Sequence, residues 1–440
     1  MVGLTGVLKA RASASNHRWA LVLAGSREWT LSAATVALSA PVGTRILWLT
    51  ERRVPGPSLP VSGGARLLGS ELDGLVYDAY SGLDPNSFAA ALGTLSGGGL
   101  LLLLTPDPED WPEYPDPQAT RATGPLRSYQ QSSGRFLRRF AGILARSEGV
   151  VPAFESAPIP QLGFFPTTSP ITTAGLPDGC RTPDQTQALA AILATAQGRP
   201  RRPLVLTSDR GRGKSSALGI AAAKLLAQAE CRILVTAPRR AALNSVFRQA
   251  ACRLPGARVQ ADHIAYHNAR LEFLPPDALC RAPRNADLLL VDEAAGIPAP
   301  LLERLLDQHP RIVFATTVRG YEGTGRGFEV RFRHTLDRTT PGWRRLRLET
   351  PIRWAAGDPL EQFAAQALLL DAEPAAAHDV AGAYPGTCYF QRLNRNALID
   401  DEATLVQVFG LLVLAHYQTR PMDLRHLLDG PNLRVYVLRH

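Results

Sequence analysis

The sequence predicts an α/β protein: two successive layers of strands and helices, followed by a third, shorter segment. Three observations carry that prediction. Short apolar runs bounded by turn residues alternate with helical stretches from residue 17 to about 150, and the pattern returns over residues 183–357. A proline-rich interval separates the two layers. The second layer carries a glycine loop and an acidic strand end, spaced as a phosphate-binding fold requires.

In the first layer, Trp19–Ala24, Arg45–Thr50, Gly74–Asp78 and Leu100–Thr105 read as strands, with a helical stretch over Pro85–Leu95. Such alternation implies parallel pairing and a Rossmann-like domain over residues 1–150. Its glycine-rich turns lack a G-x-G-x-x-G arrangement, so no dinucleotide site is expected there. Phe136–Arg146 reads as a basic amphipathic helix with Arg138 and Arg139 on a solvated face, an RNA contact being the alternative. Residues 151–182 read as a linker, with Pro152, Pro158, Pro160, Pro166, Pro170 and Pro177 among Thr, Ser and Gly.

The second layer, residues 183–357, has strands at Leu204–Thr207, Arg232–Thr236, Asp287–Val291 and Ile312–Thr316. Helical stretches at Gln185–Ala196, Ser215–Ala229 and Arg240–Cys252 separate them. The third segment, residues 358–440, opens with helix formers through Leu370 and crosses an Ala/Pro/Gly-rich stretch. It ends in helices at Leu405–Tyr417 and Leu424–Leu428 and a strand at Leu433–Leu438 whose partner is not expected within the chain.

With 440 residues the chain has room for about three domains. Hydrophobic residues at 45% and charged residues at 20% make a globular protein, not a disordered one. The run Leu100–Leu104 is too short to cross a bilayer, and Arg11, Arg18, Arg27 and Glu28 interrupt any secretory signal. A cytoplasmic protein with no membrane partner is therefore expected. Cys180, Cys231, Cys252, Cys280 and Cys388 have no metal-binding spacing and are expected as free thiols. The formal charge is +9, and Lys9, Lys214 and Lys224 are the only lysines. An excess of guanidinium suits a phosphate-rich partner such as RNA, although arginine-favouring codon usage produces the same excess.

The chemistry concentrates in the second layer. Thr207-Ser-Asp-Arg-Gly-Arg-Gly-Lys-Ser215 follows an apolar strand and opens a helix, the context of a P-loop. Backbone N–H groups of Ser208, Asp209, Arg210, Gly211, Arg212, Gly213, Ser216 and Ala217 are candidates to cradle phosphates of ATP (or GTP). Lys214 would reach the β- and γ-phosphates and Ser215 would ligate Mg²⁺. Ser208 stands where the motif has its first glycine. Asp287-Leu-Leu-Leu-Val-Asp292-Glu293 ends a strand in two acids, Asp292 to hold Mg²⁺ through water and Glu293 to orient the attacking water.

Three more stretches point to a helicase-like ATPase. Thr182-Pro-Asp-Gln185 precedes the first strand, where Gln185 would read the adenine edge. Leu234-Val-Thr-Ala-Pro238 is similar to a loop that touches a nucleic-acid backbone, and Ala315–Gly327 occupies the position that couples hydrolysis to the bound strand. Arg326 and Arg353 are rival candidates for an arginine finger.

Together these stretches resemble the bacterial tRNA(Met) cytidine acetyltransferase family. The carrying segments are Thr207–Ala217, Asp292–Pro298, Thr316–Phe328 and Pro351–Trp354, with Ala415–Leu424 further on. The resemblance implies N4 acetylation of the wobble cytidine in elongator tRNA(Met), with acetyl-CoA as donor and ATP or GTP hydrolysis as driving force. It makes residues 183–357 a helicase-like P-loop ATPase domain and residues 358–440 the beginning of a GNAT acetyltransferase domain. It also implies tRNA and not DNA as partner. The Arg/Gln-x-x-Gly-x-Gly/Ala loop that holds acetyl-CoA in a GNAT domain has no counterpart after Pro359, so the chain is expected to stop before that site and before the family's tRNA-binding tail. A stand-alone RNA-stimulated ATPase and a non-catalytic tRNA-binding fragment are the other readings open at this point.

Overall fold

The computed structural model describes residues 1–39, 43, 45–67, 69–119, 133–162, 175–282, 284–318, 325–416 and 419–440, with backbone alone for 325–331. The chain forms two compact units. One combines residues 1–171 with 354–440, and the other comprises residues 172–353.

The first unit opens with α1 (Val2–Ser15), β1 (Trp19–Ala24), α2 (Arg27–Ala37), β2 (Ile46–Leu49) and β3 (Ser58–Leu59). It continues through β4 (Leu72–Asp78), α3 (Pro85–Leu92), β5 (Leu95–Thr105), α4 (Arg135–Arg146) and β6 (Val150–Phe154). Its sheet has the order β3-β2-β4-β5-β1-β6 with every pair parallel. A parallel sheet is covered on both faces, which is why Leu100–Leu104 is an unbroken apolar run with every residue at 0% exposure. Asp84 starts α3 by accepting the N–H groups of Asn86 and Ser87, ahead of Pro85, whose missing donor is harmless at that place. Two expectations change here. Val150–Phe154 is not the start of the linker but an edge strand paired with β1. Helix α1 was not legible, because its hydrophobic pattern is weak and residues such as Leu4 and Leu8 find their partners only in the folded unit.

The second unit contains α5 (Pro183–Gln197), β7 (Leu204–Ser208), α6 (Lys214–Gln228), β8 (Arg232–Thr236) and α7 (Asn244–Ala251). Then come β9 (Arg258–Val259), β10 (His263–Tyr266), β11 (Ala269–Phe273), α8 (Pro276–Arg281), β12 (Leu288–Val291) and α9 (Ala299–Gln308). The unit closes with β13 (Ile312–Thr317), α10 (Gly325–Thr339) and β14 (Arg344–Leu348). The sheet order is β14-β7-β13-β12-β8-β11-β10-β9, parallel up to β11 and antiparallel beyond it. Alternate residues enter opposite cores: Leu204 and Leu206 join Ile192, Leu218 and Val235, while Val205 joins Leu289, Leu305 and Phe314. All four expected strands are present; the helix expected from Arg240 begins as α-helix only at Asn244.

The remaining chain rejoins the first unit with α11 (Pro359–Leu368), β15 (Tyr389–Arg392), α12 (Arg395–Leu398), α13 (Glu402–Ala415), α14 (Pro421–Asp429) and β16 (Tyr436–Arg439). The final strand does have a partner: β16 pairs antiparallel with β15, which lies in the stretch read as irregular. Phe363 of α11 packs edge-on against Phe140, with ring centroids 5.4 Å apart, and Phe140 against Phe88 at 5.6 Å. Arginines fasten the join. Arg139 is buried, donating to Glu402 and to the carbonyls of Gln366 and Ala367, so only Arg138 occupies the solvated face expected for both. Arg425, fully buried, pairs with Asp116 at 2.9 Å and donates to the Leu83 carbonyl.

A third contact of this kind joins Arg18 to Asp358. The guanidinium meets Asp358 Oδ1 at 2.8 Å, the Arg18 N–H donates to Oδ2 at 2.7 Å, and the Leu92 carbonyl takes another donor at 2.8 Å. Trp354 lies under the guanidinium, its ring centroid 3.4 Å away. Asp358 also caps α11 through the Glu361 N–H. Removing one partner strands a buried charge, so Asp358→Ala should cost about 3–5 kcal/mol in chemical denaturation. A loss under about 1 kcal/mol, the value of an exposed pair, would mean that the contact does not hold this unit together.

Candidate functional site

The candidate site lies where β7, β12 and β13 end. β7 stops at Ser208 and α6 starts at Lys214, leaving a short loop whose Gly211 and Gly213 adopt φ of 78° and 86°. Only glycine takes that region without strain, and at Gly213 a Cβ would also fall 2.8 Å from Gln185 Nε2 and 3.0 Å from Ile352 Cδ1. Gly213 caps α6 without a side-chain acceptor, so the helix directs open N–H groups and its positive end at the loop. Ser208 needs no glycine, since its backbone keeps the geometry of a strand end.

A strap of residues 349–352 holds the loop in shape. Ile352 N–H donates to the Gly211 carbonyl at 2.9 Å, and Arg212 donates to the carbonyls of Glu349 and Arg210 at 3.1 and 2.7 Å. Asp184, at the start of α5, accepts the N–H groups of Glu349 and Thr350 at 2.8 Å each.

Lys214 is buried within this frame. Its Nζ donates to Ser208 Oγ at 2.8 Å and to Thr317 Oγ1 at 3.0 Å. Burial lowers its pKa, and the charges of Glu293 and Asp292 oppose that shift. Asp292 is wholly buried; its Oδ1 accepts the Glu293 N–H at 2.9 Å, and its carboxylate is hydrogen-bonded by Ser215. Burial, and then the neighbouring Glu293 carboxylate, push the Asp292 pKa up to about 7, against the pull of Ser215 and Lys214. Glu293 sits at φ 47°, ψ 45°, a left-handed backbone that costs a non-glycine residue energy and turns its carboxylate toward the Thr317 hydroxyl at 3.3 Å. Thr317 therefore accepts from Lys214 and can donate to Glu293.

One atom bears on which group the site could hold. Asp292 Oδ2 is buried with no hydrogen-bond partner. A buried carboxylate oxygen without a partner is unfavourable, and beside a serine hydroxyl it forms part of the all-oxygen donor set a hard divalent cation prefers. The residues thus fit Mg²⁺, held from Asp292 and Ser215.

Not every expected residue reaches this centre. Gln185 is buried, its Oε1 accepting the Arg181 N–H at 2.8 Å and its Nε2 donating to the Gly213 carbonyl at 3.3 Å, so it braces the loop. Ser216 faces Ser245 on α7, and Ala217 lies in the core with its N–H donated to the Gly213 carbonyl, which leaves Ala217 no group for a phosphate. Asp209 Oδ2 lies 3.8 Å from Arg347 Nη2. Arg353 is half-buried directly after the strap, and the Arg326 side chain lies outside the described residues, as do residues 319–324 of the stretch ending at Gly327. Sequence reasoning missed Thr317 as a bridge and the strap itself. The Thr316-Thr317 pair closing an apolar strand was the available signal for the first.

This combination of strand order, loop and acidic pair defines a P-loop ATPase fold of the helicase type, a nucleotide-binding class. Residues 205–371 match the family model described as RNA cytidine acetyltransferase NAT10/TcmA, helicase domain, and residues 4–153 match tRNA(Met) cytidine acetyltransferase TmcA, N-terminal. A Nitrosococcus halophilus protein called tRNA(Met) cytidine acetyltransferase TmcA is 51% identical over 99% of this chain and 59% of its own length. Proteins of the same description from Haloferax volcanii and Vibrio cholerae serotype O1 are each 38% identical, over 99% and 85% of this chain and 61% and 48% of their own lengths. Across the two family-model matches the chain is similar to the tRNA(Met) cytidine acetyltransferase family, and it spans roughly three fifths or less of these relatives. Among the described residues no helix is long and apolar enough to cross a membrane.

The raised pKa of Asp292 makes a prediction for the nucleotide-free, Mg²⁺-free protein. A carboxyl whose folded pKa lies above its unfolded value stabilises the fold at low pH and loses that contribution as pH rises through about 7. Asp292→Asn should therefore raise Tm by an amount that grows between pH 5 and pH 8. A gain independent of pH would refute the assignment.

Proposed function

We propose that this chain is the nucleotide-driven portion of a tRNA(Met) cytidine acetyltransferase, an enzyme that forms N4-acetylcytidine at the wobble position of elongator tRNA(Met) from acetyl-CoA. The observation that carries this reading is the convergence of Lys214, Thr317, Asp292 and Glu293 at one sheet edge, in a chain whose relatives bear that name. Residues 1–150 are read as its Rossmann-like domain, 151–182 as the connection apart from the strand residues 151–154, 183–357 as its ATPase domain and 358–440 as part of a GNAT domain. A tRNA substrate suits a cytoplasmic protein.

The geometry supports the following roles. Loop N–H groups around Gly211 and Gly213 receive the phosphates of ATP or GTP, and Lys214 offers its ammonium to the β- and γ-phosphates. Mg²⁺, held by Ser215 and Asp292, would neutralise charge on those phosphates when bound. Glu293, fixed by its left-handed backbone and the Thr317 hydroxyl, orients the water that attacks the γ-phosphate. Arg353 and Arg326 stay the candidates for the arginine finger, with Arg353 closer in sequence to the strap. Hydrolysis would then drive placement of the tRNA for acetyl transfer.

Nucleotide binding and hydrolysis, measured with and without elongator tRNA(Met), test this. Lys214→Ala should abolish measurable hydrolysis and weaken ATP binding severely. Glu293→Gln should keep ATP bound while slowing hydrolysis by about 100-fold or more. Unchanged ATP affinity in Lys214→Ala would remove the P-loop role, and hydrolysis unaffected by tRNA would detach the ATPase from tRNA.

A further inference from the structure

A second feature lies at the other end of β7. The turn Arg199-Pro-Arg-Arg-Pro203 enters β7 at Leu204, whereas the phosphate loop leaves it after Ser208, roughly 17 Å away along the strand. The turn is stiff. Pro200 and Pro203 have fixed φ and hold the residues before them, Arg199 and Arg202, in extended conformations. Arg201 between them adopts φ of 57°, pinned by its N–H donating to the Pro310 carbonyl at 2.7 Å. A left-handed non-glycine residue is a cost that an ordinary connecting turn avoids by placing Gly or Asn there.

Arg344, at the start of β14, joins the same edge. Its N–H donates to the Pro203 carbonyl at 2.9 Å and its guanidinium to Thr195 Oγ1 at 3.2 Å. Gly342 lies against the Arg202 stem, where an added Cβ would meet Arg202 Cγ at 3.4 Å. Arg199, Arg201, Arg202 and Arg344 are all exposed. Several other arginines of this unit have carboxylates: Arg232 and Arg284 share Glu272, Arg240 holds Asp262, and Arg347 lies beside Asp209 and Glu349. Among the described residues no carboxylate pairs with the four at this edge.

We infer that this arginine edge is a contact surface for the phosphate backbone of RNA, separate from the nucleotide site. Guanidinium groups match phosphate oxygens in pairs, and their planar fork binds without reading base identity. The inference rests on the reading that the chain serves tRNA. RNA is the occupant because the surface offers donors and charge, and among the described residues no exposed large hydrophobic side chain lies at 199–203 or 342–346 for a protein partner to bury.

The test uses the full chain, elongator tRNA(Met) and an unrelated RNA of similar length, with affinities measured across a salt series. The triple change Arg199→Ala, Arg201→Ala, Arg202→Ala should weaken binding of both RNAs about 10-fold or more at low salt and reduce the slope of log affinity against log salt by about 2. Basal ATP hydrolysis should not change. Arg201→Gly accepts the left-handed backbone without strain, so it should melt no lower than wild type while binding RNA more weakly. Variant affinities and slopes equal to wild type on both RNAs would overturn the surface and leave the tRNA reading standing. Losses on both RNAs, with no preference of the wild type for tRNA, would support the surface and remove that reading. Wild-type protein that binds neither RNA overturns both, and an acidic polypeptide that binds through these arginines while RNA does not would reassign the partner.

Discussion

A parallel sheet covered on both faces admits charge only at its strand ends, and the second unit is organised by that restriction. Its central strands are apolar up to those ends: Leu288–Val291 and Ile312–Ala315 are almost wholly buried. Polar groups gather at the carboxyl ends of these strands, among them Ser208, Asp292, Thr316 and Thr317. The strand order then decides which of them meet. Because β13 lies between β7 and β12, Thr317 stands between the lysine that follows β7 and the glutamate that follows β12. Were β7 and β12 direct neighbours, Lys214 and Glu293 would meet without an intermediary. The inserted strand turns a possible ion pair into a relay through a neutral hydroxyl, leaving both charges available to a ligand.

The first unit handles its charges differently. Arg18, Arg139 and Arg425 are buried, each distributing donors between a carboxylate and one or two backbone carbonyls. Arg395 similarly closes the end of α14 by donating to the carbonyls of Leu427, Leu428 and Gly430. Five fixed donors suit this task, whereas a lysine would leave carbonyls unsatisfied. Arg18, Arg139 and Arg425 are therefore structural mortar within this unit, each matched by its own carboxylate. Net charge alone could not separate these arginines from the exposed set at 199–202 and 344.

What was legible in the sequence follows the same physics. Both-face burial writes strands as continuous apolar runs, so β1, β5, β7, β8, β12 and β13 could be read directly, and the P-loop and acidic pair follow from loop chemistry over a few adjacent residues. Long-range pairings left no such mark. Nothing local in Tyr389–Arg392 announces a partner 44 to 50 positions later, and its alternation is too short to distinguish a strand from a turn. Arg139 and Arg138 look alike until α11 and α13 arrive to cover one of them. The strap at 349–352 has no side-chain motif because it works largely through backbone N–H groups, which any residue except proline supplies. Gln185 is expected at an adenine edge from its place ahead of the first strand, yet a side-chain amide bonds equally well to a backbone or to an adenine edge. Only the fold places it against Gly213.

Ser208 is where these strands of reasoning meet. A glycine at the first position of a P-loop is usually explained by backbone freedom, but here the backbone is that of a strand end and the hydroxyl is fully buried. Its oxygen donates to the Asp209 carbonyl at 2.6 Å, which leaves its lone pairs for Lys214. An ammonium has three donors. Two are met by Ser208 and Thr317, and both acceptors are neutral, so the buried charge is solvated but not neutralised. The third donor remains for a phosphate oxygen, which can therefore bind Lys214 without first displacing a hydrogen-bond partner. The serine thus fits a loop that holds its lysine in place before the nucleotide arrives, a function that a glycine's missing side chain could not perform.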